Sequence, residues 1–280
     1  AKAIQRHSML IGGVQYNPKT QEAYLMLGKA RYLDQRYIPA LDAFNQVYKL
    51  NIDNQEWQQS VIWKARCNIR LQQEPTAVEL LKNLLKNKKI KQETIAEANS
   101  VLSMAYLKLD KRKEALKTLK IASKNTKDKN DKARLLYIEG QLYEREKNID
   151  SAKTVFNQIL NFKRKVSRKV FINAKVKALL YSDPLDSEKE FLKLIKNEEN
   201  KPYLDKIYYG YSNLLFSLDS LSLGKDFLNM AIRENSSDKK LKSKAYIKFS
   251  KLNFNDSNFL LAGKYLDSTL KVLDKNSKEF

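Results

Sequence analysis

The sequence has very few of the residues that enzymatic and metal sites use most. It contains one histidine, His7, and one cysteine, Cys67, among 280 residues. A single cysteine forms no internal disulfide, and one residue of each type is too few for a zinc site or a Cys–His nucleophile. No glycine-rich phosphate loop occurs, and the acidic pairs Glu198–Glu199 and Asp186–Glu188 lie near turns among basic residues. We therefore predict that the protein is not an enzyme and has no cofactor or metal, and that Cys67 is a buried apolar residue.

Glycine, proline and long apolar runs are scarce as well. The chain has seven glycines and five prolines, and no apolar run approaches the roughly 18 residues of a membrane span. No stretch alternates apolar and polar residues for long enough to predict a sheet. An all-helical chain fits these observations, with Asp150 and Asp183 as predicted N-caps. All five prolines fall ahead of predicted helices or in their first turns, where proline is tolerated: Pro18, Pro39, Pro75, Pro184 and Pro202.

A small residue followed by apolar residues four and seven positions later recurs along the chain. That spacing places the three residues on one face of a helix. Successive small residues are 37, 38, 37, 72 and 38 positions apart, so the longest step contains one further copy, which we place at Glu188, Leu192 and Ile195. The clear copies are Ala40–Phe44–Val47, Ala77–Leu81–Leu84, Ala115–Leu119–Ala122, Ala152–Phe156–Ile159, Gly224–Leu228–Ala231 and Ala262–Leu266–Thr269.

A second small residue lies twelve positions before each of these, so every repeat contains two helices that approach closely at small side chains. The pattern resembles the tetratricopeptide repeat (TPR), a helix–turn–helix unit of about 34 residues. The resemblance predicts an all-α TPR solenoid of about seven units in a right-handed superhelix, as one domain over residues 1–280. The expected units are 21–54, 58–91, 96–129, 133–166, a degenerate 169–202, 205–238 and 243–276, with 1–16 as the tail of a preceding unit.

The chain is strongly basic, with 53 Lys and Arg against 32 Asp and Glu and a formal net charge of +21. Lysine-rich stretches at 111–132 and 162–169 concentrate this charge. Such a balance attracts acidic partners, anionic surfaces or nucleic acid. The alternative interpretation is that the lysines form solvated outer faces and loops, with their aliphatic stems covering apolar surface.

The TPR resemblance implies that the first helix of each unit lines a concave, partner-binding surface. Counting from the small residue of each first helix predicts a groove with basic and aromatic character, suited to an acidic or extended segment of a partner. Tyr209 is expected to face outward, while Tyr208 and Tyr211 pack in the core. The predicted groove residues are Lys29, Arg66, Arg70, Lys108, Tyr137, Arg145, Lys177, Tyr209 and Lys251.

A closer resemblance is carried by LGKARYLDQRYIPALDAFN at 27–45, with weaker matches at 135–144, 204–209 and 265–270. These stretches resemble the SprE or PorW lipoproteins of gliding motility and type IX secretion. The resemblance implies a non-enzymatic scaffold that docks other proteins between the outer-membrane translocon and the periplasmic ring. It also implies a location at the periplasmic face of the outer membrane.

We interpret the sequence as a fragment of a longer protein, because it begins at Ala1 inside a repeat. Contact with the membrane is then expected only through an N-terminal lipid anchor outside this fragment. Two alternatives stay open, a basic repeat protein that binds nucleic acid and a general TPR adaptor for an acidic peptide. We do not expect a small-molecule substrate, and protein partners are favoured over nucleic acid because the predicted groove residues follow no regular base-reading pattern.

Overall fold

The computed structural model describes residues 4, 6, 9–11, 14–15, 17–49, 54–87, 89–234 and 238–273. Its described part contains fourteen α-helices in seven consecutive pairs, which confirms the predicted all-α fold of helix–turn–helix units. The first helices of the pairs are α1 (Thr20–Leu33), α3 (Gln55–Arg70), α5 (Gln92–Lys108), α7 (Lys129–Arg145), α9 (Arg168–Leu179), α11 (Leu204–Ser217) and α13 (Lys239–Asn255). The second helices are α2 (Tyr37–Lys49), α4 (Glu74–Leu85), α6 (Arg112–Asn125), α8 (Ile149–Leu160), α10 (Pro184–Lys196), α12 (Leu221–Arg233) and α14 (Phe259–Val272).

The chain forms two compact units, Ala1–Leu142 and Tyr143–Phe280. The first unit is the N-terminal half and the second is the C-terminal half. The N-terminal half has one hydrophobic cluster around Ile62, Leu81, Leu102 and Leu119 and a second one around Leu25 and Phe44. The C-terminal half has one cluster around Phe191 and Tyr211 and another around Leu228 and Phe249. The expected single domain over the whole chain stays a prediction.

Small residues occupy the same two positions in every pair. In α1 the small residue is Gly28, and a Cβ at this position would lie 2.4 Å from a ring carbon of Phe44 in α2. The close approach of the two helices therefore requires a residue without a large side chain at this point. The fourth residue of each second helix is small and buried: Ala40, Ala77, Ala115, Ala152, Ser187, Gly224 and Ala262.

Repeat five contradicts the predicted position of its small residue. The sequence pattern placed it at Glu188, with Leu192 and Ile195 in the apolar positions, but the buried set lies one residue earlier. Ser187 and Phe191 are fully buried, whereas the side chain of Leu192 is 40% exposed. Ser187 Oγ donates a hydrogen bond of 2.8 Å to the carbonyl oxygen of Leu179, so a serine fills the small position.

The shift arises from the turn between α9 and α10. In the other six pairs three residues separate the two helices, whereas four residues, 180–183, lie between the end of α9 at Leu179 and the start of α10 at Pro184. The fully buried Ala174 is therefore the small residue of α9, thirteen positions before Ser187 rather than twelve. Half-buried Glu188 accepts a hydrogen bond of 2.9 Å from Tyr211 Oη instead of filling a close helix contact.

The turns of the other six pairs share a left-handed residue that is not glycine. In the turn after α3, Gln72 has φ of 61°, and the next amide, of Gln73, donates 2.8 Å to the carbonyl oxygen of Asn68. This bond satisfies a helix C-terminal carbonyl group as in a Schellman motif. The equivalent residues are Gln35, Asp110, Lys147, Asp219 and Ser257, with φ between 55° and 60°.

Replacing Gln72 by glycine is expected to raise the free energy of unfolding by about 0.5–1 kcal/mol. A left-handed conformation costs a residue with a Cβ about 1–2 kcal/mol, and the extra backbone entropy of unfolded glycine offsets part of the gain. Urea denaturation followed by circular dichroism measures the change. Ser182→Gly in the turn of repeat five is the control, because Ser182 has no positive φ and its hydroxyl donates to Ala178. A loss of stability in Gln72→Gly would contradict the assigned turn conformation.

The predicted helix starts are correct in one case and wrong in the other. Asp183 caps α10, where its carboxylate accepts from the amides of Leu185 and Asp186 at 3.0 and 3.2 Å. Asp150 lies inside α8, and the cap is Asn148, whose side chain accepts from the amide of Ser151 at 3.1 Å. Lys147 is the residue with the left-handed conformation in the preceding turn. Asn148 therefore stands directly before the helix, in the N-cap position.

A short strand pair precedes α1, where we predicted no sheet and the tail of a helical unit. Strands β1 (Leu10–Ile11) and β2 (Val14–Gln15) are antiparallel, with Ile11 opposite Val14. The two residues between the strands in the sequence are both glycine. Two glycines between short apolar segments are typical of a two-residue hairpin, so the sequence contained the signal. The rest of the predicted tail lies largely outside the described residues.

Candidate partner-binding surfaces

The predicted groove residues all lie on first helices, as the repeat pattern required. Five of them are half-buried and four are exposed, and the partner-binding role assigned to them stays a prediction. In the N-terminal half, Lys29 is on α1, Arg66 and Arg70 on α3, Lys108 on α5 and Tyr137 on α7. In the C-terminal half, Arg145 ends α7, Lys177 is on α9, Tyr209 on α11 and Lys251 on α13.

Trp63 brings two of the predicted cations together in the N-terminal half. Lys29 Nζ lies 5.5 Å from the centre of the Trp63 ring, and the guanidinium carbon of Arg66 lies 5.0 Å from it. At these distances the ring face attracts both positive charges. The repeat pattern gives no indication of Trp63, because small residues and their apolar partners define that pattern.

Arg66 and Arg70 already have contacts within the N-terminal half. Arg66 Nη2 lies 3.1 Å from Glu97 Oε1 on α5. Arg70 Nε donates a hydrogen bond of 3.3 Å to Tyr32 Oη, which raises the pKa of Arg70. Arg66 Nε is buried without a hydrogen-bond partner among the described residues. A partner that uses these guanidinium groups has to compete with or add to these contacts.

An open cavity of about 520 Å³ lies next to Arg66 in the N-terminal half. Its acidic residues outnumber its basic ones, and no aromatic residue lines it, so the predicted basic and aromatic character does not hold at this cavity. The basic groups are each paired, Lys127 with Glu93 at 2.5 Å and Arg134 with Asp131 at 3.4 Å. The lining residues are Arg66, Glu93, Ala96, Glu97, Ser100, Asn125, Thr126, Lys127, Asp128, Asp131, Arg134, Leu135 and Ile138.

The corrected position of repeat five changes which lysine follows the small residue of α9. That residue is Lys175 rather than the predicted Lys177. Hydrogen bonds from Lys175 and Lys193 lower the pKa of the Glu190 carboxyl to about 2. Lys177 Nζ lies 3.0 Å from Glu144 Oε1, so both lysines are engaged in ion pairs within the C-terminal half.

Tyr209 does not stand alone on the outside of α11, contrary to the prediction. It is half-buried and packs against the cluster of Leu228, Ala245 and Phe249, and burial raises the pKa of its hydroxyl. Tyr211 is buried as predicted, and its ring contacts Phe227 at 4.6 Å. The packing of α13 against α11 and α12 explains the position of Tyr209.

Cys67 is fully buried, as predicted, in a cluster with Leu25, Phe44 and Val47. Burial raises the pKa of its thiol to about 12, so the reactive thiolate is scarce at neutral pH. We expect Ellman's reagent at pH 8 to leave the folded protein almost unlabelled and to label one thiol per chain after denaturation. Rapid labelling of the folded protein would contradict the packing of α3 on α1 and α2.

Among the described residues no group of three or more His, Cys, Asp or Glu side chains is placed to hold a metal ion. None of the described helices combines the length and the apolar character needed to cross a membrane.

No protein-family model matches the sequence, and no curated protein matches it. Solved structures do match. A tetratricopeptide repeat protein from Parabacteroides merdae is 14% identical with a TM-score of 0.68, over 92% of this chain and 95% of that one. The C-terminal part of a TPR repeat-containing protein from Cytophaga hutchinsonii is 14% identical with a TM-score of 0.56, over 91% and 97%.

PilF from Pseudomonas aeruginosa is a third similar structure, 13% identical with a TM-score of 0.54, over 93% of this chain and 95% of that one. Identities this low carry information about the fold alone. The helix pairs within each half, with small residues at their contact positions, agree with that likeness, and this chain has the tetratricopeptide-repeat fold.

Proposed function

We propose that the protein is a scaffold of the bacterial cell envelope that docks components of the type IX secretion and gliding motility machinery. Tetratricopeptide-repeat folds are generally protein-interaction scaffolds, because their stacked helices present extended surfaces. The specific assignment rests on one observation, the resemblance of residues 27–45 to the SprE or PorW lipoproteins. On this proposal the partners are the outer-membrane translocon and the periplasmic ring, and the chain lies on the periplasmic side of the outer membrane.

The structure divides residues 27–45 into a packing part and a surface part. Gly28, Ala40 and Phe44 form the close contact of α1 with α2, which any repeat of this fold needs. Leu33 and Ile38, at the turn between the two helices, are large apolar side chains that stay exposed. Packing does not explain this exposed apolar surface, which supports a docking role for the stretch.

Photo-cross-linking in intact cells tests the proposal at this surface. A photoreactive amino acid placed at Ile38 is expected to cross-link the protein to translocon or periplasmic ring components. Leu185 is the matched control, because it is also exposed and stands two residues before the small residue of its own repeat. Recovery of cytosolic proteins alone, or equal recovery from both positions, would count against the proposal. A lipoprotein signal ending in cysteine at the N-terminus of the full-length protein would test the location independently.

Nucleic acid is the second candidate partner, and the net charge of +21 favours it. Binding through phosphate contacts releases counterions, so the affinity has to fall steeply with rising salt. A gel-shift titration that shows no complex at low salt removes this candidate. A complex that survives physiological salt would instead favour it over the scaffold.

A further inference from the structure

The segment 162–169, which joins α8 to α9 within the C-terminal half, carries five positive charges and no negative one. The lysine-rich stretch 111–132 differs, because Asp128 and Asp131 lie among its cations. Of these two stretches, only 162–169 presents positive charge without an acidic residue in between. Its cations are Lys163, Arg164, Lys165, Arg168 and Lys169.

Two residues anchor this segment to the C-terminal half. The side chain of Val166 is buried. Arg168 donates two hydrogen bonds, of 2.9 and 2.7 Å, to the side-chain oxygen of Asn200, and Asn200 is fully buried in the 3-10 helix Glu198–Tyr203. Neither of these anchoring contacts involves the side chain of a lysine.

The three lysines of the segment are free of structural duties. Lys163, Lys165 and Lys169 are exposed, and within the described part of the chain none of them forms an ion pair. Like charges this close in the sequence repel each other, so their presence lowers stability. Neither packing nor ion pairing explains these lysines, which indicates a role in binding.

The neighbouring carboxylates compensate only part of the charge. Arg164 and Arg168 share the carboxylate of Glu199, at 3.6 and 3.7 Å, and Lys201 is paired with Glu198. With the three lysines included, six basic residues at this surface stand against two acidic ones. The exposed excess of positive charge attracts an anionic partner.

The side chains of this surface fit a lipid bilayer better than a protein or a nucleic acid. Protein interfaces are centred on apolar or aromatic anchors and are depleted in lysine, and single-stranded nucleic acid stacks on exposed aromatic rings. The large apolar side chains of the segment are Val166, which is buried, and Phe162, which is half-buried. A polybasic segment on an anionic bilayer needs no such anchor, because the attraction is electrostatic.

We propose that the segment 162–169 binds the phosphate headgroups of an anionic lipid bilayer. The inference rests on the proposed location at the outer membrane, where phospholipid lies next to the chain. It adds a contact made by the repeats themselves to the expected lipid anchor. The contact brings the C-terminal half to the membrane surface.

Sedimentation with lipid vesicles tests the proposal on the whole chain. One set of vesicles contains phosphatidylcholine alone, and the other contains equal parts of phosphatidylcholine and phosphatidylglycerol. The buffer has an ionic strength of about 0.15 M, where the Debye length is about 8 Å and distant charges are screened. The protein is expected to sediment with the anionic vesicles and to stay in solution with the neutral ones.

Two triple variants show whether the segment itself carries the binding. The first replaces its exposed lysines: Lys163→Glu, Lys165→Glu and Lys169→Glu. The second makes the same change in net charge at exposed positions of α6: Lys113→Glu, Lys117→Glu and Lys124→Glu. The first is expected to weaken binding to anionic vesicles at least about tenfold, and the second less than about threefold, because screening limits the effect of charges away from the contact.

Absence of sedimentation with anionic vesicles, or equal weakening in the two variants, would overturn the proposal. Binding of a DNA duplex that the first variant alone weakens, without binding to vesicles, would assign the segment to nucleic acid instead. Failure of the vesicle experiment leaves the expected cross-link from Ile38 unchanged, so this proposal and the scaffold function fail separately.

Discussion

Replacing Phe191 by alanine is expected to lower the free energy of unfolding by about 3–5 kcal/mol. The ring is fully buried, stacks on Tyr211 with centroids 5.4 Å apart and lies in the cluster that joins α10 to α9 and α11. Removing a buried aromatic side chain loses its transfer free energy and leaves a cavity. Urea denaturation followed by far-ultraviolet circular dichroism measures the loss.

The neighbouring Leu192 is the control for this prediction. Its side chain is 40% exposed, so Leu192→Ala is expected to cost less than about 1 kcal/mol. The sequence pattern assigned the buried position to Leu192, and the structure assigns it to Phe191. Equal losses in the two variants, or a larger loss in Leu192→Ala, would contradict the position of repeat five described here.

Replacing Ala152 by leucine is expected to destabilise the protein by about 1–3 kcal/mol. Ala152 is the fully buried small residue of α8, and a larger side chain forces the surrounding core to move. Leucine and alanine differ little in helix propensity, so the effect reports packing. Denaturation curves of the variant and the unmodified protein provide the measurement.

Ala30→Leu makes the same change on an exposed position of α1. Because no packing opposes the larger side chain there, the expected change in the free energy of unfolding is within about 0.5 kcal/mol. Equal changes in the free energy of unfolding of Ala152→Leu and Ala30→Leu would show that the face assigned to the small residues is wrong.

The spacing of small residues was sufficient to predict the fold. A helix pair can close only where both helices have a small side chain, so Ala40, Ala77, Ala115 and Ala152 mark the contacts directly. The pattern failed in repeat five, where a serine takes the small position and the turn is one residue longer. Counting a fixed number of residues from the neighbouring repeats then selects Glu188. The small position is identified by the hydrogen bond that Ser187 donates to the carbonyl oxygen of Leu179, and this contact is visible only in the folded structure.

The candidate surfaces were less predictable than the fold. The position of Arg66 on the first-helix face follows from helical periodicity, but its contacts with Trp63 and Glu97 depend on how neighbouring helices pack. The acidic lining of the nearby cavity includes Asp128 and Asp131, from the loop before α7 and its first turn, which the counting rule did not include.

Cysteine accessibility at five of the seven small positions tests most directly whether small side chains close the helix pairs. Single cysteines are placed at Ala40, Ala77, Ala115, Ala152 and Ser187 in a Cys67→Ser background, with Glu188→Cys as the contrast. The structure predicts that the first five are protected from a thiol reagent in the folded protein and that Glu188→Cys is labelled faster than any of them. Labelling of the cysteine at Ser187 with protection at Glu188, or rapid labelling at the four alanine positions, would contradict this account.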